Sequence, residues 1–491
     1  MSKDSRPILL YFPRTGPDFL EPPFGLAALA ATLRQAGFPV EIIDCRLEDH
    51  RRATERRLAG RTPLFFGVTA MTGPQIFHAI RVSERLKELF SAPVVWGGLH
   101  VTLAGEQAIS EDYIDFILRG YADRTIVSLA EALSSGGDRE VFRRIPGAVF
   151  KDNDGVYAHA ELPSVDLVSL PEPAWDMLDM SPYVNRLYLK ERTLYLSTSR
   201  GCDHCCAFCY SGPVHRRQWQ GRTAEQVIAE LRTLGERVSY DAVFFHDDNF
   251  SVDRARFKKV TEHLKQAGKK FVLSANCADV DDALLAALGS LGCIRLDFAV
   301  ESGSPRILEK HNKGFDLEQV RRVVAGAARH GVPVNLSFML GHPEETREDI
   351  LQTLDLIDEL RRSSARVQVL DLKLLTPYLG TPIHALCLRE GLKDPASLEG
   401  WGDFYWNSRN LEWSPEPGLC QDLSFISLFA LRFEHLHAKN PLLAWVYGLL
   451  HRLESWRWEK RAFAFPVELR AMHLFLKAYH RLMRYSEISF L

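Results

Sequence analysis

Between Ser199 and Tyr210 the chain reads Ser-Arg-Gly-Cys-Asp-His-Cys-Cys-Ala-Phe-Cys-Tyr, which puts Cys202, Cys205, Cys206 and Cys209 in one short loop. Three thiolates held this closely can ligate three irons of a four-iron, four-sulfur (4Fe-4S) cluster and leave the fourth iron open to a small molecule. Two triplets satisfy such a loop: Cys202, Cys206 and Cys209, or Cys202, Cys205 and Cys209. The competing chemistry is a structural zinc site, which closes four ligands around one ion and would recruit Cys205 or His204. The strand-like run Thr193 to Thr198 before the loop, and the repeating strand-helix pattern after it, favour the cluster.

That pattern supplies the elements that must position the loop. From Thr193 onward, apolar strands alternate with helices: Leu194 to Ser197, Ala224 to Arg237, Ala242 to Phe245, Arg254 to Gln266, Phe271 to Ser274, Asp281 to Leu291, Ile294 to Val300, Leu317 to Arg329, Val334 to Leu340, Arg347 to Leu360 and Gln368 to Leu374. Six strands in this rhythm predict a (β/α)6 partial barrel, with functional side chains at the carboxyl ends of the strands. Polar residues gather at those ends: the cysteine loop, Asp247 and Asp248, Asn276, Glu301 and Ser302, Gly341 to Thr346, and Thr376 to Tyr378. Asp253 and Ser302 can also be read as simple helix caps.

An earlier series runs from Pro7 to about Ser135: strands at Ile8 to Phe12, Val40 to Asp44, Leu64 to Thr69, Val94 to Trp96 and Asp115 to Leu118, with helices at Gly25 to Ala36, Gln75 to Phe90 and Ile126 to Leu133. This predicts a doubly wound α/β Rossmann-like domain. Ligands of such sheets sit beyond the carboxyl ends of the strands, here marked by Thr69, Met71, Thr72, Gly97, Gly98, His100 and Gly120. The expected division is a Rossmann-like domain over 1–140, a proline- and aspartate-rich linker over 141–190, the barrel over 191–384 and a mainly helical region over 385–491.

At this point the chain resembles the radical SAM superfamily, whose cysteine spacing, with an aromatic residue before the last cysteine, is matched by Cys202, Cys206, Phe208 and Cys209. The resemblance implies that these three cysteines bind a 4Fe-4S cluster and that Cys205 is a bystander. It further implies that the open iron chelates S-adenosylmethionine (SAM), which is cleaved to a 5′-deoxyadenosyl radical. Asp247 or Asp248 would meet the methionine amino group, Glu301 with Ser302 the ribose, and Gly341 the adenine. A carboxylate facing an ammonium or vicinal hydroxyls makes strong charge-assisted bonds, which suits these residue types.

The stretches Val94 to Thr102, Asp115 to Gly120, Glu301 to Ser304 and Gly341 to Thr346 are similar to those of the cobalamin-dependent class. Membership implies a corrinoid held by Thr69, Met71, Thr72, Gly97, Gly98, His100 and Gly120. Two departures stand out: Gly120-Tyr121-Ala122-Asp123 replaces the family's Gly-Glu-x-Glu, and no D-x-H-x-x-G motif supplies a histidine to cobalt. The lower face of cobalt is therefore expected to meet the Thr69 to Gly73 loop without a strong ligand; His78 and His100 are more readily read as ordinary helix or surface histidines. The class implies methylation of an unactivated carbon through methylcobalamin, fed by a flavodoxin- or ferredoxin-like electron donor. The alternatives are a radical cyclase like that of anaerobic chlorophyll synthesis, and a non-catalytic cobalamin sensor.

Composition narrows the setting. A net charge of −3 and a pI near 6.6 imply no general nucleic-acid affinity. Nine cysteines, four of them together, suit a reducing cytoplasm, and no export signal opens the chain. The longest apolar run, Leu442 to Leu450, falls well short of the ~20 residues that span a bilayer. The tryptophan-rich, mildly basic tail is expected to hold a large apolar or anionic small molecule or peptide, or to touch a membrane surface.

Overall fold

The computed structural model describes residues 4–463 except 16–19, 153–154, 187–188, 405–409 and 433–440, together with 467, 468 and 471. The first domain is a seven-stranded sheet in the order β2-β1-β3-β4-β5-β6-β7. Its strands are β1 (Ile8–Phe12), β2 (Val40–Asp44), β3 (Phe65–Thr69), β4 (Val94–Gly97), β5 (Phe116–Leu118), β6 (Ala148–Asp152) and β7 (Gly155–Ala158). The first five are parallel and the last two antiparallel. β1 is apolar at nearly every position because both of its faces are covered. Ile8 and Leu10 pack with Leu26, Leu33 and Ile126, while Leu9 and Tyr11 pack with Ala53, Ile76 and Val101. The chain reverses direction across the sheet between β1 and β3, and that switch point opens a crevice at the carboxyl ends.

The sheet overturns part of the expected 141–190 linker. β6 and β7 lie within it, and Ala148, Val149 and Phe150 bury into the two faces of the sheet. Charged Lys151 and Asp152 interrupt the alternation, so the short hairpin left little periodic trace. The helices His50–Leu58 and Leu99–Ala108 were not expected either; the first is dominated by arginines and the second opens on glycine.

The second domain is a six-stranded, all-parallel sheet in the order β15-β14-β13-β12-β11-β8. Its strands are β8 (Thr193–Leu196), β11 (Ala242–Phe245), β12 (Lys270–Ser274), β13 (Cys293–Glu301), β14 (Val334–Leu340) and β15 (Val367–Leu374). A two-residue ladder, β9 (Ser199–Arg200) with β10 (Gln220–Gly221), brackets the cysteine loop. The helices begin at side-chain caps: Thr223 and Thr346 form capping boxes, and Asp253 accepts from the Arg256 amide.

Both edges of the partial barrel are covered. An Asn185–Thr193 bridge flanks β8. On β15, the Leu372 amide donates to Ser427 Oγ at 2.9 Å and its carbonyl accepts from Ser424 Oγ at 3.0 Å, so the helix Pro417–Arg432 satisfies the open ladder. The expected boundary at 384 falls inside the helix Pro382–Arg389, which belongs with the barrel because the Ile383 amide donates to Ala207 in the cysteine loop.

Within the C-terminal region, Trp401, Trp413 and Trp458 are buried, whereas Trp445 and Trp456 are exposed on the helix Pro441–Lys460. Trp406 and nearly all of the expected helical region beyond residue 463 lie outside the described residues. Among the described residues no helix is long and apolar enough to cross a membrane.

Candidate active site

The cysteine loop leaves β9 through Gly201, whose φ is +82° and whose missing Cβ would stand 2.0 Å from the Gln218 carbonyl oxygen, so only glycine fits. The middle of the loop is pinned from below: the Ala207 amide donates to the His311 carbonyl at 2.9 Å, and Asn312 Nδ2 to the Cys205 carbonyl at 3.0 Å. His204 Nε2 lies 2.7 Å from Asp279 Oδ2, which also accepts from Asn249. His204 therefore has a structural partner already.

Burial pushes the Cys202 thiol up to about 12 and the Cys209 thiol to about 11, and raises Cys206 as well; each of the outer two lies within electrostatic reach of Cys206. Metal binding must displace these protons, which ties loading of the loop to deprotonation. Among the described residues no three His, Cys, Asp or Glu side chains converge on a single-ion site.

The two aspartates at the end of β11 have different jobs. Asp247 is buried and accepts from the Thr198 amide at 3.2 Å, from Thr198 Oγ1 at 2.8 Å and from Ser199 Oγ, so it fastens β8 to β11. Asp248 is exposed, accepts from the Gly201 amide, and lies close enough to Cys202 and Cys209 to push both thiols up. Asp248 is thus the carboxylate available to a ligand. Asp247→Asn is expected to lower the melting temperature while Asp248→Asn is expected to leave it within about 2 °C and weaken SAM binding; thermal melts and equilibrium dialysis separate the two.

Glu301 closes β13 with a φ of +73°, beside a register shift against β14. A left-handed conformation at a residue with a long side chain costs energy, and such strain gathers where a side chain must be aimed. Its carboxylate is buried and faces Lys313 Nζ at 3.7 Å, and burial raises its pKa. Ser302, a possible helix cap by sequence, bonds instead to Thr353 Oγ1 and the Ser304 amide, and Ser304 caps the helix Pro305–His311. At the end of β14 the Gly341 amide donates to Glu345 Oε2 at 2.6 Å, and the Gly341 carbonyl accepts from Trp413 Nε1 at 2.9 Å. Phe208 packs edge-on against His311 with 5.2 Å between ring centroids.

Beside this site the two domains enclose a mainly apolar cleft of about 1700 Å³, counting the space open to solvent. Thr69, Met71, Gly97, Gly98 and Gly120 form its first-domain wall. Gly98 has a φ of +103°, and a Cβ there would meet the Ala70 carbonyl oxygen at 2.8 Å. Ser197 to Arg200, Tyr210, His215 and Arg222 form the barrel wall, and Trp175 from the connector closes it. Trp175 Nε1 and Arg222 both bond to the buried Glu230, at 2.8 and 2.6 Å. The cleft is also lined by Leu10, Leu26, Gly67 and Ile126.

Residues 17–130 match the B12 binding domain and residues 196–357 the radical SAM superfamily. An uncharacterised methyltransferase of Pyrococcus horikoshii is 30% identical over 381 residues, covering 76% of this chain and 79% of that one. The chain belongs to the cobalamin-dependent radical SAM enzymes. The anaerobic magnesium-protoporphyrin IX monomethyl ester cyclase of Rubrivivax gelatinosus is 26% identical over 342 residues, 68% of this chain and 61% of that one. The radical SAM methyltransferase TsrM of Kitasatospora setae, solved with cobalamin and a 4Fe-4S cluster bound, shares the fold with a TM-score of 0.65 over 81% of each chain at 19% identity.

The residues of this radical SAM enzyme fit both groups. The three thiols share one loop, and the cleft is large, mainly apolar and walled on its first-domain side by Gly97, Gly98 and Gly120, which lets a bulky corrinoid lie against the backbone. Two residues expected to touch the corrinoid lie elsewhere. His100 is fully buried beneath Trp401, 5.6 Å between ring centroids, with Nδ1 bonded to Thr72 Oγ1 at 3.0 Å; neither His100 nor Thr72 lines the cleft. The helix Leu99–Ala108 starts at once after Gly98 and turns the ring inward. His78 accepts from the Arg14 amide and is likewise absent from the lining.

His100→Gln is therefore expected to leave the visible spectrum of bound hydroxocobalamin unchanged; a shifted spectrum would put the imidazole on cobalt. Sequence reasoning passed over Tyr121, Arg200, Tyr210, His215 and Arg222 as lining residues, although Arg200 and Tyr210 directly flank the cysteine loop.

Proposed function

We propose that this enzyme methylates an unactivated carbon of a small molecule, the corrinoid occupying the interdomain cleft and SAM the space above the cysteine loop. The observation that carries the reading is the shared wall: Ser199, Arg200 and Tyr210 belong to the loop that bears the cysteines and also line the cleft. Bound there, the cluster and SAM would supply radical chemistry and cobalamin the methyl group.

The chain's own work is orientation and exclusion of water. Asp248 accepts the ligand's ammonium, Glu301 its ribose hydroxyls, and the Gly341 turn, braced by Glu345 and Trp413, presents backbone to the adenine. Trp175 and Tyr210 line the cleft and help to exclude water from it. A flavodoxin- or ferredoxin-like protein is the proposed electron donor. The methyltransferase relatives support methyl transfer over ring formation.

The test is anaerobic turnover of reconstituted enzyme with candidate substrates. Methylation requires S-adenosylhomocysteine and 5′-deoxyadenosine to appear together with a product one methyl group heavier. Formation of 5′-deoxyadenosine with a product of unchanged carbon count would establish the cyclase reading instead. Substrate-independent binding without cleavage of SAM would establish the sensor.

A further inference from the structure

The turn Gly120 to Asp123, where the family's usual acidic pattern is replaced, holds the cysteine loop at both of its shoulders. On one side Asp123 accepts two bonds from Arg200, at 2.6 and 2.9 Å, and Arg200 stands two positions before Cys202. On the other side Tyr121 Oη lies 2.5 Å from His215 Nδ1, their rings stacked 5.5 Å apart, and His215 ends the helix Ser211–His215 that follows Cys209. The Arg200 guanidinium also sits 5.4 Å from the centroid of the Tyr121 ring, so the two pairs form one cluster. We propose that this cluster is an interdomain latch that couples the corrinoid cleft to the SAM site.

Three features argue for a device rather than an incidental contact. Asp123 is almost fully buried, with 3% of its side chain exposed, so its pairing with Arg200 is a desolvated, bidentate ion pair that tolerates little movement. Burial, then the charge of Arg200, holds His215 down to about 4, and burial holds Tyr121 up to about 12. At neutral pH both partners are therefore uncharged, so the Tyr121–His215 hydrogen bond persists without a charge, and His215 lines the cleft. Immediately after His215, Arg216 and Arg217 both adopt left-handed φ values, +53° and +58°, which marks a backbone held by its surroundings.

All four latch residues line the cleft. A corrinoid that fills it restrains the 120–123 turn and with it both shoulders of the loop, which lowers the ordering cost of seating SAM on the cluster. Linkage then requires SAM to tighten the corrinoid by the same factor. The inference rests on the reading of the cleft as a corrinoid site.

The test measures equilibrium affinities in the cluster-reconstituted full chain: SAM with and without saturating hydroxocobalamin, and hydroxocobalamin with and without SAM. The expected coupling is about 5- to 150-fold, equal in both directions. It should collapse to within about twofold of unity in the double variant Tyr121→Phe, Asp123→Asn. Should that protein not fold, His215→Phe preserves the ring stack, removes the hydrogen bond and should reduce the coupling at least about threefold, with iron content unchanged. If hydroxocobalamin does not bind the wild-type chain, the corrinoid reading falls and the latch with it. If it binds without mutual effect, or if the coupling survives in the variants, only the latch is overturned.

Discussion

Cys206→Ala is expected to abolish the iron-sulfur cluster, while Cys205→Ala should retain it. Iron and sulfide assays after anaerobic reconstitution, with the absorbance of the cluster, read the difference directly. Cys202 and Cys209 both lie within electrostatic reach of Cys206, whereas the Cys205 carbonyl is tied to Asn312 and neighbouring His204 is committed to Asp279. Two thiolates cannot retain a cluster that three were placed to hold, so the loss should be nearly complete rather than graded. Melting temperature should change little in the apo-protein, because the loop is pinned through its backbone at Ala207. Retention of the cluster in Cys206→Ala with loss in Cys205→Ala would shift the ligand register to the other triplet.

Glu301→Gln is expected to weaken SAM binding by about 10- to 100-fold, the range for one charge-assisted hydrogen bond. The residue is held in a strained left-handed conformation at the carboxyl end of β13, where the sheet register breaks, and its carboxylate is buried. Its cationic neighbour among the described residues, Lys313, stands at 3.7 Å, too far for a direct hydrogen bond, so the oxygens have capacity left for a ligand. Glutamine keeps the shape and removes the charge. Equilibrium dialysis of SAM and a thermal melt together decide the role. Unchanged affinity with a lowered melting temperature would reduce Glu301 to the counter-ion of a buried lysine.

Several barrel elements were legible because their signals are local. The helices at Ala224–Arg237, Arg254–Gln266 and Leu317–Arg329, and the strand Val334–Leu340, were readable to the residue, since a capping side chain or a buried alternating run marks each boundary. The hairpin of β6 and β7 was not, because its stability comes from pairing with β5 rather than from its own pattern. The His50–Leu58 helix was hidden for a related reason: only Ala53, Thr54 and Leu58 are buried, too few to register as a stripe.

The same division runs through the site. Amino-acid type and spacing determined the cysteine loop and the carboxylates at the strand ends, because each is met within a few residues, while the pairing of a corrinoid domain with a radical barrel followed from the family resemblance those residues carry. Tertiary structure alone decided that Asp247 braces while Asp248 faces the cysteines, that Trp401 shuts His100 away from the cleft, and that residues 121–123 reach across to Arg200 and His215. Those outcomes depend on which side chains compete for the same hydrogen bonds and buried space across long stretches of chain, and no local pattern records that competition.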